Sequence, residues 1–570
     1  MIIENIDKEI ILCYTSKIDD NSGNFFLDVD LKYIQFHFCI DGNASFSYNN
    51  DSYKLNLDSN YLNKSLYKKE NLYAKRPQDM RLDNTKLEKK LNLRFDDLID
   101  EIKNTKKKIS SVRDFKAPNW LDIRNFESSY SDREPTVLVV GCGQAGLSIA
   151  SRLKQLNIDT LIIDKHERIG DNWRKRYHSL TLHNQTQVNH LPLMPFPKTW
   201  PTYIAKDKLA GWFEYYAESL ELNVWNNTEF ISAEYLSKDK IWDVKIKDTK
   251  GKIKKIKPQH IVMAIGVSSV PKMPNIKGIE NFKGEKIHSG YFKSGKPYQN
   301  KNVLVFGTGT SSHDVSQDLH ANGANVTMVQ RSPTMIVNLE PSAQLPYALY
   351  QEGPSTDDCD LIAISSPLSV LKKTHQILTK QSKKLDSKLL KKLEKIGFVL
   401  DYGEDNTGWQ FKYLTRGGGY YFNVGASNLV ADQKIKLIQF SDISEFLSDG
   451  IIHSSKKLKY DSFVFATGYK GQEYMVKKFF GNEVANKVGR IWNFNSKKQE
   501  LNNMFAKTNQ QGLWFIAGSL AQCRIFSKYL SFQISKEIKY KTLGIQQEEQ
   551  SLILIFSHFF DFLDIEKLSP

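Results

Sequence analysis

Two strand, glycine-loop, helix units in one chain constrain its fold more than any other feature. The first loop is Gly141-Cys142-Gly143-Gln144-Ala145-Gly146, directly after the apolar run Val137–Val140. The second is Gly307-Thr308-Gly309-Thr310-Ser311-Ser312, directly after Val303–Phe306. Each leads into a helical stretch, Gln144–Leu156 and His313–Ala321, and then into a further apolar run, Thr160–Asp164 and Val326–Gln330. That is a βαβ unit twice over. A pyrophosphate needs backbone N–H groups aimed at it and no side chain in the way. The first glycine makes the tight turn and the second admits the phosphates. The third lets helix and strand pack closely, while the helix N-terminus supplies partial positive charge. Two such seats predict two dinucleotides exchanging electrons.

The strands behind the two loops end differently. The strand after the first ends in Asp164, beside Lys165, where a carboxylate accepts hydrogen bonds from ribose hydroxyls. The strand after the second ends in Arg331, and the third small position of that loop is Ser312, preceded by Ser311. An arginine there suits the 2′-phosphate of NADP rather than the free hydroxyl of NAD. The first loop (Gly141, Gly143, Gln144, Gly146, with Asp164 and Lys165) is therefore assigned to FAD. The second (Gly307, Gly309, Ser311, Ser312, with Arg331) is assigned to NADPH.

At 570 residues the chain is too long for one core. The expected class is α/β: two Rossmann-like domains, an NADPH domain inserted into an FAD domain, and a small N-terminal accessory region. The expected boundaries are 1–115 (accessory), 116–290 (FAD domain, first part), 291–466 (NADPH domain, with an insertion at 340–425), 467–545 (FAD domain, second part) and 546–570 (apolar tail). Residues 1–115 are rich in Asn, Asp, Lys and Tyr, with strand-like runs at 33–40 and 44–48 and a charged helical stretch at 86–108. A basic helical stretch is expected at Leu368–Leu393. Two apolar strands ending in glycine, Ile261–Gly266 and Phe463–Gly468, mark where the chain leaves or re-enters a sheet. The net charge of +15 is spread over lysine pairs such as Lys372-Lys373 and Lys391-Lys392, the pattern of solvated helix faces, so no nucleic-acid partner is expected. Five widely spaced cysteines exclude a disulfide framework and a zinc site, and no metal is expected. No secretory signal or membrane-spanning stretch is visible, which points to a cytoplasmic protein. The tail 552–565 is apolar and aromatic, a candidate for packing or for weak membrane association. The oligomeric state is left open, with a homodimer as one candidate.

Between the loops lies Phe282-Lys-Gly284-Glu-Lys-Ile-His288-Ser-Gly-Tyr-Phe292. This resembles the FxGxxxHxxx(Y/F) fingerprint of class B flavin-containing monooxygenases. Glu167-Arg-Ile-Gly170-Asp-Asn-Trp173-Arg174 resembles the family's GGxW segment. Leu182-His183-Asn184-Gln185 with Leu191–Pro197 resembles the active-site strand and loop of the dimethylaniline and YUCCA-type enzymes. Phe465-Ala-Thr-Gly468-Tyr469 is similar to the late ATGY turn, and Gly512–Gly518 to the C-terminal flavin strand. The resemblance covers roughly 116–545. It departs from the pattern at Ile265, where threonine is usual, and at Thr310, where asparagine is common.

The resemblance implies a chemistry. NADPH reduces FAD, the reduced flavin captures O2 as a C4a-hydroperoxide, and one oxygen atom passes to a small nucleophilic substrate by N- or S-oxygenation of the dimethylaniline-monooxygenase type. The alternatives are YUCCA-like oxidative decarboxylation of an indole-pyruvate-type 2-oxo acid, or an uncoupled NADPH oxidase. Gly170, Trp173, His288, Gly468 and Gly518 join the cofactor contacts by the same resemblance. The active-site asparagine of animal-type members falls on His183 without a gap and on Asn184 with a one-residue shift, and both stand as catalytic candidates. Disulfide reductases share the two-loop plan but need a redox cysteine pair, which residues 165–200 lack.

Overall fold

The computed structural model describes five strands between Tyr14 and Asn56, and residues 118–543 apart from 352 and 496–498. The chain divides into two compact units, residues 1–123 with 544–570, and residues 124–543. In the first, Tyr14–Ile18, Phe25–Leu31, Ile34–Cys39, Asn43–Tyr48 and Asp51–Asn56 form an antiparallel meander in sequence order. Its third and fourth strands are those expected near 33–40 and 44–48. The helical stretch expected at 86–108 and the apolar tail lie outside the described residues.

The second unit holds two five-stranded parallel sheets. One runs in the order Asn223–Trp225, Thr160–Ile163, Val137–Val140, His260–Met263, Leu513–Phe515. The other runs Lys436–Gln439, Asn325–Gln330, Asn302–Phe306, Ser462–Phe465, Glu285–His288. Both repeat one plan, counted from the glycine-loop strand: third strand, second, first, then a fourth reached through an antiparallel meander; the edge strand beyond it comes from far down the chain in one sheet (Leu513–Phe515) and from just before the first strand in the other (Glu285–His288). The meanders are Thr228–Leu236, Ile241–Asp248, Ile253–Ile256 and Ile443–Leu447, Gly450–His453, Lys456–Lys459. Val137–Val140, Thr160–Ile163 and His260–Met263 are buried at every residue. That is why they read as unbroken apolar runs rather than alternating ones: layers cover both faces of the sheet.

Three expectations shift. Glu285–His288 pairs inside the second sheet, so the chain has crossed over before 290. The helix after the second loop starts at Thr310, because Gly309 is its N-cap. The basic stretch is two helices, Leu368–Leu385 and Ser387–Lys395. They break at buried Asp386, whose carboxylate accepts from Asn338 N at 2.9 Å, Asn338 Nδ2 at 2.8 Å and Ser342 Oγ at 2.8 Å. The insertion rejoins the second domain through Tyr420–Asn423, which pairs in parallel with Met335–Asn338.

Candidate active site

The first glycine loop is built for close approach. Gly141 has φ +107°, and a Cβ at Gly146 would lie 1.9 Å from the Gly141 carbonyl oxygen. Gly143 caps the helix Gln144–Gln155 with no side-chain bond, which leaves first-turn N–H groups for an anion. Asp164 stands behind the loop. One carboxylate oxygen accepts from Cys142 N at 2.7 Å and the other from His166 N at 2.8 Å. Burial raises its pKa, but these hydrogen bonds and His166 outweigh that and hold it below the usual range, so it is an anion. Lys165 beside it is exposed. Gln144 Nε2 donates to the Gly518 carbonyl at 3.2 Å, which ties this loop to the returning C-terminal segment. Gly170 starts the short helix Asp171–Arg174 against the backbone of Ala210. That helix sets Asn172 over Gly143, and it leaves Asn172 Oδ1 and Trp173 Nε1 buried without a hydrogen-bond partner. Free amides and orphaned polar atoms around one anion seat fit a flavin dinucleotide.

The second loop repeats the geometry with one change. Gly307 has φ +117°. Buried Ser312 occupies the place of Gly146, and its Oγ donates to the Gly307 carbonyl at 2.5 Å. Gly309 caps Thr310–Ala321, again without a side-chain bond. Ser311, half-buried, sits in the first turn. Arg331 is exposed at the strand end, and its one recorded side-chain bond is a 3.4 Å contact to Ser332 Oγ. No carboxylate pairs with it among the described residues, so its guanidinium is available to a phosphate.

His288 is held by backbone at both ring nitrogens. Gly290 N donates to its Nδ1 at 3.0 Å, so Nε2 carries the proton and donates to the Gly468 carbonyl at 2.9 Å. Both ring nitrogens are thus committed to backbone. The fingerprint histidine clamps the crossover between domains. The two crossover segments run side by side, with Lys272 N bonded to Gly468 O at 3.0 Å and Lys470 N to Val270 O at 2.8 Å. The rest of the fingerprint is packing. Phe282 stacks on Phe463 with centroids 3.6 Å apart, and a Cβ at Gly284 would strike that ring at 2.4 Å.

His183 and Asn184 lie on the strand Thr181–Gln185. His183 is open to solvent-sized space, yet desolvation by the surrounding protein pushes its imidazole down to about 4. Its ring is thus exposed on a concave part of the surface rather than on an open one. The insertion supplies the other walls, which no motif in the sequence marks. Phe422 packs edge-on to His183 at 4.7 Å, Trp409 to Phe422 at 4.8 Å, and Tyr347 lies 6.0 Å from Trp409. Burial raises the Tyr347 hydroxyl to about 12, opposed by a hydrogen bond from the Asn184 side chain. Thr310 Oγ1 donates to the Tyr420 carbonyl at 3.0 Å, and Tyr413 OH donates to Gln522 Oε1 at 2.8 Å, next to Gly518. The insertion therefore touches both nucleotide seats and sets a cluster of aromatic rings beside His183. The density of Trp409, Tyr413, Tyr420 and Phe422 was its signal in the sequence.

The fully buried cations are paired. The buried Lys and Arg side chains among the described residues are Lys206, Lys412 and Arg524. Lys206 pairs with Asp207, and Lys412 with Asp401. Arg524 holds both Asp360 oxygens, at 2.8 and 2.6 Å, and the carbonyls of Val188 and His190. Asn184 Oδ1 and Gln344 Oε1 are buried without a partner.

Residues 138–351 match the pyridine nucleotide-disulphide oxidoreductase family. The described cysteines, Cys142, Cys359 and Cys523, are each free and buried, so the match reflects the shared two-dinucleotide plan. The probable indole-3-pyruvate monooxygenase YUCCA3 of Arabidopsis thaliana is 35% identical over 208 residues, covering 36% of this chain and 48% of that protein. Over that match the chain spans about half of the relative's length. YUCCA4 of the same plant is 29% identical over 339 residues, covering 59% of this chain and 76% of its own. Cyclohexanone monooxygenase with bound epsilon-caprolactone superposes with a TM-score of 0.53 at 15% identity, over 71% of this chain and 88% of that one, which shows a shared fold. The chain is thus similar to flavin-dependent monooxygenases, over part of those relatives' length and on the same two-dinucleotide fold.

Proposed function

We propose that the chain is an NADPH-dependent monooxygenase that delivers one oxygen atom to a nitrogen or sulfur of a small substrate with an aromatic face, in the manner of a dimethylaniline monooxygenase. The observation that carries this reading is the cluster of aromatic rings beside His183. Lys206, Lys412 and Arg524, the buried cations among the described residues, already have their carboxylates, so none of them is free to meet a substrate carboxylate, whose burial without a counter-ion costs several kcal/mol. A neutral ring would gain from stacking on Phe422 and Trp409. FAD, when bound, would take the two electrons of NADPH and supply the oxygen activation. The protein's part is placement and dryness. Asn184 is held by Tyr347 at the polar edge, His183 stays neutral above about pH 4, and the insertion shuts out water. Similarity to the YUCCA proteins favours a second reading, oxidative decarboxylation of a 2-oxo acid.

The test is a panel of a tertiary aryl amine, an aryl methyl sulfide and indole-3-pyruvate, each assayed for product, NADPH consumed and peroxide released. Product from the amine or sulfide in step with NADPH supports the first reading. Product from the oxo acid alone supports the second, and peroxide with every compound identifies an oxidase.

A further inference from the structure

The insertion that sets the aromatic cluster beside His183 carries an unusual outer corner. Thr356–Ser365 and Leu368–Leu385 meet at Ser366-Pro367, and residues 361–370 read Leu-Ile-Ala-Ile-Ser-Ser-Pro-Leu-Ser-Val, ten in a row without a charge. Leu361 is 59% exposed, Ile362 48% and Val370 48%. Along the second helix the outward positions continue as Val370, Lys373, Ile377, Lys380 and Lys384, an i, i+3, i+7 series, with Ile377 67% exposed. The opposite face buries His375, Thr379 and Ser382. Residues 368–395 hold nine lysines against Asp386, which is buried and bonded, and Glu394. This segment alone is therefore +7 of the chain's +15. Asp357 and Asp358 stand at the far end of the first helix, roughly 10 Å from the corner at 1.5 Å per residue.

We infer that this corner is a docking surface for an anionic membrane. Scattered exposed apolar residues are ordinary, but here they follow one another around a corner and lead into a lysine-rich face, where among the described residues Lys372 alone meets a carboxylate, Asp405 at 4.0 Å. Leu361, Ile362 and Val370 would enter the headgroup layer, while Lys373, Lys380 and Lys384 meet lipid phosphates with their alkyl stems lying along the apolar surface. No described helix is long and apolar enough to cross a membrane, so this contact is interfacial. It would set the insertion against a reservoir of apolar compounds.

The test uses the full chain with bound flavin, sedimented with vesicles of phosphatidylcholine alone or with a third phosphatidylserine. Wild type should sediment with the anionic vesicles and lose most of that binding as salt is raised. Leu361→Glu with Ile362→Glu should lower the bound fraction at least tenfold, and Lys373→Glu with Lys380→Glu should abolish the preference for anionic lipid. Both variants should keep wild-type flavin content and NADPH oxidation without vesicles, which separates a docking defect from misfolding. No binding by wild type, or binding unchanged in either variant, overturns the inference. So does self-association without lipid that the apolar variant abolishes, because the corner would then join copies of the chain.

Discussion

Replacing Gly146 with alanine should strip the protein of FAD while leaving NADPH recognition intact. The added Cβ would sit 1.9 Å from the Gly141 carbonyl oxygen, where real contacts do not fall under 3.0 Å. The helix start must therefore retreat by about 1.1 Å in a core that tolerates little displacement. Overpacking of this kind costs about 1–3 kcal/mol of stability. The larger effect is on the ligand. The retreating helix carries the first-turn amides, and each charge-assisted hydrogen bond to phosphate is worth about 1.5–3 kcal/mol, so breaking one of them weakens FAD binding by roughly ten- to a hundredfold. Ser312 is the control. It holds the same place in the second loop and already has a Cβ, so Ser312→Ala forfeits one neutral hydrogen bond, about 0.5–1.5 kcal/mol. Flavin content per chain and the FAD dissociation constant, measured beside the KM for NADPH, decide the matter. A Gly146→Ala protein that keeps full flavin at wild-type affinity would refute the reasoning, as would a Ser312→Ala protein that loses as much.

The site makes three further outcomes measurable. Arg331→Ala should lower kcat/KM for NADPH by roughly ten- to a hundredfold and leave that for NADH nearly unchanged, because the guanidinium meets the 2′-phosphate alone; an equal fall for both coenzymes would place Arg331 outside the site. Burial raises Asp314 to about 6, despite the hydrogen bond from Tyr177 and the nearby Arg176. Its folded pKa lies above the unfolded value of 3.8, so the penalty grows as pH rises from 3.8 to about 6 and is complete above that; Asp314→Asn should raise the melting temperature at pH 8 and leave it unchanged well below the unfolded value. Tyr347→Phe frees Asn184 from its hydroxyl partner, and it should reduce product per NADPH without slowing flavin reduction, read by anaerobic mixing with NADPH.

The parts of this molecule governed by local rules were legible in the sequence. Gly141 and Gly307 need positive φ, an acid or an arginine closes the next strand, and a parallel sheet demands unbroken apolar runs, so loops, strands and cofactors can be read from short segments. Features that depend on distant packing were not legible. Nothing near His288 in the sequence reveals that the fold brings Gly468 beside it and occupies both ring nitrogens with backbone. Glu285–His288 looked like the end of one domain because nothing local reveals that Ser462–Phe465 is its partner. Tyr347 and Phe422 lie some 165 to 240 positions from His183, and only the insertion's return along Met335–Asn338 places them in one cluster.

The destination of the oxygen atom separates a monooxygenase from an oxidase. With isotopically labelled dioxygen, NADPH and a tertiary aryl amine or aryl sulfide, mass spectrometry of the product should find one labelled atom for each NADPH consumed, with little peroxide released. Unlabelled substrate, with the dioxygen recovered as peroxide, would contradict a monooxygenase.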